Sequence, residues 1–277
     1  MSIDLNKFRK NIYTNSGVRP CPGYGEDGVI LEIFKHIGVS QNPICIEFGE
    51  LRVLGTTTRS FRIKYLAKAL YFSGSLDLKS WYLNILDVLK ISVRYWSWRY
   101  LKFLLNMPRK LFASTDKIGK IVNNFTRGQQ VDLFVVDIDS FDFEIVRELL
   151  KTKIKPKVLI VEYNPSLPAD ESVYWKEGLI RDSNTNNRLY GASYGAWEKL
   201  MNEYGYTLIH VSGFCNLHYL RTDIDNAFIK PDISEEITDT DEKVLNFSKK
   251  YCLPGFQPSW LKSPHLTRHE IDSLARF

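Results

Sequence analysis

The segment directly after one apolar run concentrates carboxylates. The run Leu133 to Val136 is followed by Asp137, Asp139 and Asp142, three acids within six residues. Carboxylates this close repel one another unless a cation, a hydrogen-bond donor or a proton relieves the repulsion. The spacing therefore predicts either a cation site or acids that cap the positive end of a following helix.

A further acid and an amide stand after the next apolar run. Glu162 and Asn164 follow the run Val158 to Val161. If the two runs are neighbouring strands, the oxygens of Asp139, Glu162 and Asn164 converge at one edge of a sheet. Carboxylate and amide oxygens are the ligands that a hard cation such as Mg²⁺ prefers. We therefore expect these three residues to be metal ligands, with helix capping as the alternative.

The elements that must position these side chains alternate between strand and helix. Short apolar runs bounded by turn or charge signals predict buried parallel strands at Ile44 to Phe48, Ala69 to Phe72, Leu133 to Val136 and Val158 to Val161. Apolar residues at spacings of three and four predict helices at Gly28 to His36, Phe141 to Lys151 and Tyr194 to Tyr204. This order predicts an α/β fold with a doubly wound, mostly parallel sheet. Leu208 to Val211 and His218 to Leu220 would form an antiparallel hairpin at one edge.

Two regions depart from the alternation. Leu78 to Phe112 is rich in Trp, Tyr and Leu with a narrow polar stripe, which predicts a helix that buries most of its circumference. It could cap the same domain, form a homodimer face or lie on a membrane surface through its flanking cations. Residues 231–277 are expected to form an outer C-terminal extension with a helix near its middle. The predicted organisation is a domain over 1–230, with a helical insertion over 78–120, followed by this extension.

Composition and charge exclude several classes of protein. A chain of 277 residues with 44% hydrophobic and 25% charged residues is not wholly disordered. Lysine and arginine exceed aspartate and glutamate by 37 − 32 = 5, and we expect no nucleic-acid partner from so small an excess. No signal-peptide pattern opens the sequence, so we expect a cytoplasmic protein, either free or in peripheral contact with a membrane. The scattered cysteines predict reduced structural thiols.

Six short motifs occur in a fixed order between about Gly23 and Arg221. They are Tyr24-Gly25-Glu26-Asp27-Gly28, Ile46-Glu47-Phe48-Gly49, Val136-Asp137-Ile138-Asp139 with Asp142, Val161-Glu162-Tyr163-Asn164-Pro165, Tyr190-Gly191-Ala192-Ser193, and Asn216 before an aromatic strand that ends at Arg221. Together they resemble the FkbM-like S-adenosylmethionine-dependent methyltransferases. The resemblance implies a Rossmann-like domain that methylates a hydroxyl group of a small-molecule or glycan acceptor, such as a sugar or a secondary metabolite.

The resemblance also implies roles for individual residues. Glu47 and Gly49 would hold the methionine end of S-adenosylmethionine, Asp77 would bind its ribose, and Asp137 would lie beneath the sulfonium. Glu26 would approach the cofactor from the preceding loop. The glycine-rich turn would continue to Gly55, where a backbone can approach a ligand closely.

The acceptor side of the implied site holds the metal-ligand candidates. Asp139, Glu162 and Asn164 would face the acceptor, with Mg²⁺ as an optional cofactor. Asp142 and His218 are the candidate general bases for the acceptor hydroxyl.

Two alternatives to a methyltransferase stay open. Bulky residues from Glu50 to Leu54 stand where the family usually has a small residue, Asp and Gly, so cofactor binding could be altered or lost. The chain would then serve as a binding or membrane-docking module. Asp-x-Asp after an apolar strand, as in Asp137 to Asp139, also occurs in metal-dependent glycosyltransferases that use nucleotide diphosphates.

Overall fold

The structure is a computed structural model that describes residues 26–49, 56–73, 82–86, 89, 109–110, 114–179, 184–213, 215–224, 241–242, 245–246 and 259–277. The α-helices whose bounds lie within these ranges are α1 (Glu26–Ile37), α2 (Arg59–Tyr65), α3 (Ile118–Thr126), α4 (Asp142–Leu150), α5 (Tyr194–Glu203) and α6 (Arg268–Asp272), and a 3-10 helix spans Ser259–Lys262. The strands are β1 (Ile44–Phe48), β2 (Lys68–Ser73), β3 (Arg109–Lys110), β4 (Leu133–Val136), β5 (Val158–Glu162), β6 (Val173–Tyr174), β7 (Tyr206–Ser212), β8 (Asn216–Arg221) and β9 (Ala275–Arg276).

The central sheet has the strand order β3-β2-β1-β4-β5-β8-β7. Strands β1 to β5 are parallel, β8 runs antiparallel to β5, and β7 runs antiparallel to β8. The doubly wound, mostly parallel sheet with an antiparallel edge hairpin is therefore confirmed, and it is consistent with a Rossmann-like fold. The apolar runs specify these strands because residues buried on both faces of a parallel sheet must be apolar throughout.

The strand order reverses between β1 and β4. From β1 the chain moves outward through β2 and β3, then returns to place β4 against the other side of β1. In open α/β sheets, such a reversal opens a crevice at the carboxyl ends of the two strands, because the connections leave in opposite directions. Any ligand site of this fold is expected at that end.

Both faces of the sheet are covered by helices. Alternating strand residues such as Ile46 and Phe48 pack with residues of α3, α4 and α5. The intervening residues, Cys45 among them, pack with α1 and α2 on the opposite face. This three-layer packing holds the strand ends rigidly, so the loops that follow β1, β4 and β5 start from fixed positions.

The C-terminal residues differ from the outer extension that was expected. Strand β9 pairs antiparallel with β6, and the ring of Phe277 lies 5.2 Å from the ring of Phe143 in the core. Ile271 and Leu274 are buried. Burial of these apolar side chains favours packing of residues 259–277 on the domain, and helix α6 lies near the end of the extension. Residues 241–242 and 245–246 are helical as well, and most of the segment around them lies outside the described residues.

The predicted insertion lies largely outside the described residues. Residues 82–86 are helical, with Asn84 buried and Tyr82 exposed, and α3 begins at Ile118. The cap, dimer and membrane alternatives for this segment stay predictions. Among the described helices, none is both long enough and apolar enough to cross a bilayer.

Candidate active site

Three carboxylates meet at the carboxyl end of the sheet. Asp137 and Asp139 follow β4, Glu162 ends the neighbouring strand β5, and each offers an oxygen within 4.8 Å of the other two. Asp137 and Asp139 are exposed, and Glu162 is partly exposed. We call Asp137, Asp139 and Glu162 together the carboxylate group. Acids after these two strands were expected to converge, and they do, but the third member of the group is Asp137 where Asn164 was expected.

The carboxylate group lies where the reversal of strand order is expected to open a cleft. Asp137 reaches solvent, yet the surrounding protein desolvates it, and this desolvation together with the charges of Asp139 and Asp142 raises its pKa to about 8. Burial, and then the charges of Asp137, Asp139 and Asp142, hold the pKa of Glu162 well above its usual value. The charged forms of these acids are therefore disfavoured, and a cation would relieve their repulsion.

Asp142 holds the loop that presents the two exposed aspartates. Its carboxylate accepts hydrogen bonds from the backbone N–H groups of Ile138 at 2.6 Å and Ser140 at 2.9 Å. Burial raises its pKa to about 6, against the opposing effect of these donors. We correct the expectation that Asp142 is a general base, because both of its oxygens secure the loop. Asp142 is the first residue of α4, but it does not cap that helix, because its carboxylate accepts from amides of the loop before the helix.

Asn164 is also engaged elsewhere, which corrects its expected place among the ligands. Its side-chain N–H groups donate to the carbonyl oxygens of Arg188 at 2.7 Å and Tyr190 at 2.8 Å. Its side-chain oxygen accepts from the backbone N–H of Ser166 at 2.8 Å. A buried amide with these three bonds links the loop after β5 to residues 188–190.

His218 lies inside the core, so the expected base role is corrected there as well. Its side chain on β8 is completely buried, and its Nε2 lies 2.6 Å from the hydroxyl of Ser212. Burial lowers the pKa of His218 to about 3. An imidazole enclosed between strands cannot reach an acceptor in the cleft, and it stays neutral at physiological pH.

A neutral buried histidine makes folding stability depend on pH. His218 has a folded pKa of about 3, below the roughly 6.5 of an unfolded chain, so its protonation favours unfolding. Stability from this group is complete above about pH 6.5 and is lost as the pH falls toward 3. We expect the difference in unfolding free energy between wild type and His218→Gln to drop by about 2 kcal/mol from pH 7 to pH 5.

Urea unfolding of both proteins across this pH range measures that difference. The exposed His269, changed to Gln, is the matched control for the loss of a histidine. A difference that stays constant from pH 7 to pH 5 would show that His218 is not held neutral by burial.

Glu47 anchors the segment that leads into α2. Its carboxylate accepts from the backbone N–H groups of Thr57 at 2.8 Å and Thr58 at 3.0 Å, and from the Thr58 hydroxyl at 2.7 Å. The side chain is 3% exposed. Glu47 would therefore act on a ligand through the loop that it anchors.

Glu26 joins the same end of the sheet through a residue to which the sequence assigned no role. It begins α1, is buried, and accepts a 3.0 Å hydrogen bond from the side chain of Asn216 at the start of β8. Asn216 pairs with Glu162 in the register of β5 and β8. Burial, and then the charges of Glu162, Asp137 and Glu26, raise the pKa of the neighbouring Cys215 thiol. Asn216 begins the last of the six motifs, and the structure gives that position a contact.

Gly49 allows β1 and β4 to approach each other at the cleft. It has a φ of 119°, and a Cβ atom placed on it would lie 1.5 Å from the carbonyl oxygen of Asp137. Glycine is therefore required by the protein's own backbone. The expected cofactor-binding residues Gly55 and Asp77 lie outside the described residues.

Comparisons with known proteins add little to this picture. No family model matches the sequence, so the FkbM-like resemblance stays one of motifs, and no curated protein is similar to it. A solved SAM-dependent methyltransferase from Aquifex aeolicus has a TM-score of 0.32 and 14% sequence identity, over 79% of this chain and 98% of that chain. A likeness at this level carries no functional argument, so function must be argued from the residues of the site.

Proposed function

We propose that the protein is an S-adenosylmethionine-dependent O-methyltransferase, assisted by a divalent cation, that acts on a hydroxyl group of a sugar, glycan or secondary metabolite. The observation that carries the proposal is the group formed by Asp137, Asp139 and Glu162 beside the reversal of strand order. Its position is where a doubly wound sheet binds ligands. Its charge suits a ligand or cofactor that is positive.

The donor chemistry of the carboxylate group fits Mg²⁺. Asp137, Asp139 and Glu162 supply oxygen ligands close enough to share one ion. When bound, such an ion lowers the pKa of a hydroxyl group that contacts it. The protein's contribution is to hold Asp139 and Glu162 at a fixed separation, through the Asp142-anchored loop and the end of β5.

The same cleft suits the charges of S-adenosylmethionine, which carries a sulfonium and an ammonium group. S-adenosylmethionine, when bound, supplies the methyl group. Asp137 and Glu26 would place negative charge near those cations, while the loop that Glu47 anchors would border the methionine end. In this proposal Gly55 belongs to the glycine-rich turn, and Asp77 binds the ribose hydroxyls of S-adenosylmethionine. The chain must then hold the acceptor oxygen about 3 Å from the methyl carbon, in line with the bond that breaks.

The acceptor hydroxyl must also lose its proton. With Asp142 and His218 engaged elsewhere, Asp137 is the group that we propose receives it. A cation bound at the carboxylate group would keep Asp137 ionised and therefore able to accept a proton.

A second candidate function is a metal-dependent glycosyltransferase. The specific observation in its favour is that Asp137 and Asp139, the two acids of an Asp-x-Asp motif, both belong to the carboxylate group. Such motifs bind a cation together with the diphosphate of a sugar nucleotide. The two enzyme classes therefore differ in the donor that they recognise, S-adenosylmethionine for one and a sugar nucleotide for the other.

Isothermal titration calorimetry distinguishes the candidates. We expect S-adenosylhomocysteine to bind and UDP not to bind, with and without Mn²⁺. Without the ion the acids repel a diphosphate, and with it the proposal assigns the ion to the acceptor hydroxyl instead of a diphosphate. Adenosine alone, titrated in the same buffer, is the control for recognition of the methionine end. Binding of UDP that requires Mn²⁺ would instead support a glycosyltransferase. Binding of neither nucleotide at millimolar concentration would leave the altered binding module as the function.

A further inference from the structure

Arg188 fastens the C-terminal segment to the domain. Arg188 is 2% exposed, and its guanidinium forms a bidentate ion pair with the carboxylate of Asp241. Nη1 lies 3.0 Å from Oδ1, and Nη2 lies 2.8 Å from Oδ2. Its Nε donates to the carbonyl oxygen of Ser263 at 3.0 Å, and its guanidinium lies 5.0 Å from the ring centre of Trp260. A buried guanidinium held in this way cannot shift without losing partners that offset the cost of burying its charge.

The backbone at Arg188 supports the loop that follows β5. The carbonyl oxygens of Arg188 and Tyr190 accept the two N–H groups of the Asn164 side chain. The backbone N–H of Asn164 donates to the carbonyl oxygen of Ala192 at 2.8 Å. Asn164 stands two residues after Glu162, so residues 188–192 determine where the chain goes as it leaves this carboxylate.

The same stretch also supports the loop that follows β4. The backbone N–H of Gly191 donates to the carbonyl oxygen of Ser140 at 2.9 Å. Ser140 directly follows Asp139, and its own N–H is held by Asp142. Residues 188–192 thus bridge the two loops whose acids form the carboxylate group.

We propose that Arg188 is a positioning residue, through which the C-terminal segment fixes the relative placement of the two loops that carry Asp139 and Glu162. The consequence for cation binding rests on the proposed function. The placement of the two loops by residues 188–192 does not depend on the proposed function. A cation site demands ligand atoms at fixed separations, so a small displacement of one loop weakens binding although every ligand is still present.

Two variants weaken the attachment of Arg188 without removing its bulk. Arg188→Lys keeps the charge and loses the bidentate geometry, and Asp241→Asn keeps the shape and loses the charge. We expect the amides of Ile138, Ser140 and Gly191 to exchange with deuterium about 10-fold faster in both variants. We also expect the Kd for Mn²⁺ to rise about 10-fold, as is usual when a residue supporting metal ligands is changed.

The matched control is Arg268→Ala, which removes an exposed C-terminal arginine that pairs with Glu171 and Asp272. It should leave exchange at Ile138 and Ser140 unchanged, along with Mn²⁺ affinity. Faster exchange confined to residues 186–190 and 259–264, with Ile138 and Ser140 unaffected, would overturn the positioning role and leave only local packing. If the wild-type protein binds no Mn²⁺, the proposed cation site fails, and exchange at Ser140 still decides the role of Arg188.

Discussion

Asp139→Asn is expected to weaken Mn²⁺ binding at least about 100-fold while leaving the affinity for S-adenosylhomocysteine within a few-fold. Asp139 is exposed, belongs to the carboxylate group and has a φ of 53°. Asparagine tolerates this left-handed conformation better than alanine does, so the turn should persist while the charged ligand is lost. Methyl transfer to any acceptor that the wild type uses should fall to background, because the change removes a group needed for chemistry rather than for nucleoside recognition.

Electron paramagnetic resonance of free Mn²⁺ measures the first quantity, and calorimetry measures the second. Asp223→Asn is the matched control, because this exposed acid pairs with Arg221 near the amino end of β5, at the opposite end of the sheet. It should leave both affinities at the wild-type level. Equal losses of Mn²⁺ and S-adenosylhomocysteine affinity in Asp139→Asn would show that Asp139 serves the cofactor or the fold, and the proposed division of roles would fail.

Gly49→Ala is expected to destabilise the fold by about 3 kcal/mol or more. The added methyl group would have to occupy a position 1.5 Å from the carbonyl oxygen of Asp137, so β1 or β4 must move. The backbone of Asp137 cannot retreat easily, because its N–H donates to the carbonyl oxygen of Phe48 in the same pair of strands. The φ of 119° adds strain for any residue with a side chain.

Urea unfolding tests this expectation against a second glycine at positive φ, which has open space around it. Gly38 has a φ of 72°, and a Cβ atom there would have nothing within 4 Å. Gly38→Ala should therefore cost only the conformational strain, about 1 to 2 kcal/mol. Similar losses for the two variants would mean that the contact with Asp137 adds nothing, and that Gly49 matters for its conformation alone.

The sequence determined the sheet because the signals for strands are local. β1 and β4 have the predicted bounds, and β2 and β5 differ from theirs by single residues at their ends. Apart from Glu47 in β1, the predicted runs are apolar because both sheet faces are covered by helices. Convergence of acids after β4 and β5 also followed, since parallel neighbours place their carboxyl ends side by side.

The tertiary structure decided which polar side chains face the cleft. Asn164 and His218 have residue types suited to a site, but their partners, Tyr190 and Ser212, engage them inside the fold. Asp142 is engaged in the same way, by the backbone N–H groups of Ile138 and Ser140 in the loop that precedes α4.

The C-terminal segment makes contacts between residues far apart in the chain, which the sequence did not predict. Strand β9 pairs with β6 about a hundred residues earlier, as the register of Val173 with Arg276 shows, and Glu26 meets Asn216 across 190 residues. Apolar periodicity is a property of consecutive residues. The sequence alone therefore predicts the strands and the edge of the sheet at which the acids lie. The partner of a polar side chain depends on which distant segments pack against it. Only the tertiary structure therefore shows which acids face the cleft and which polar side chains hold the surrounding loops in place.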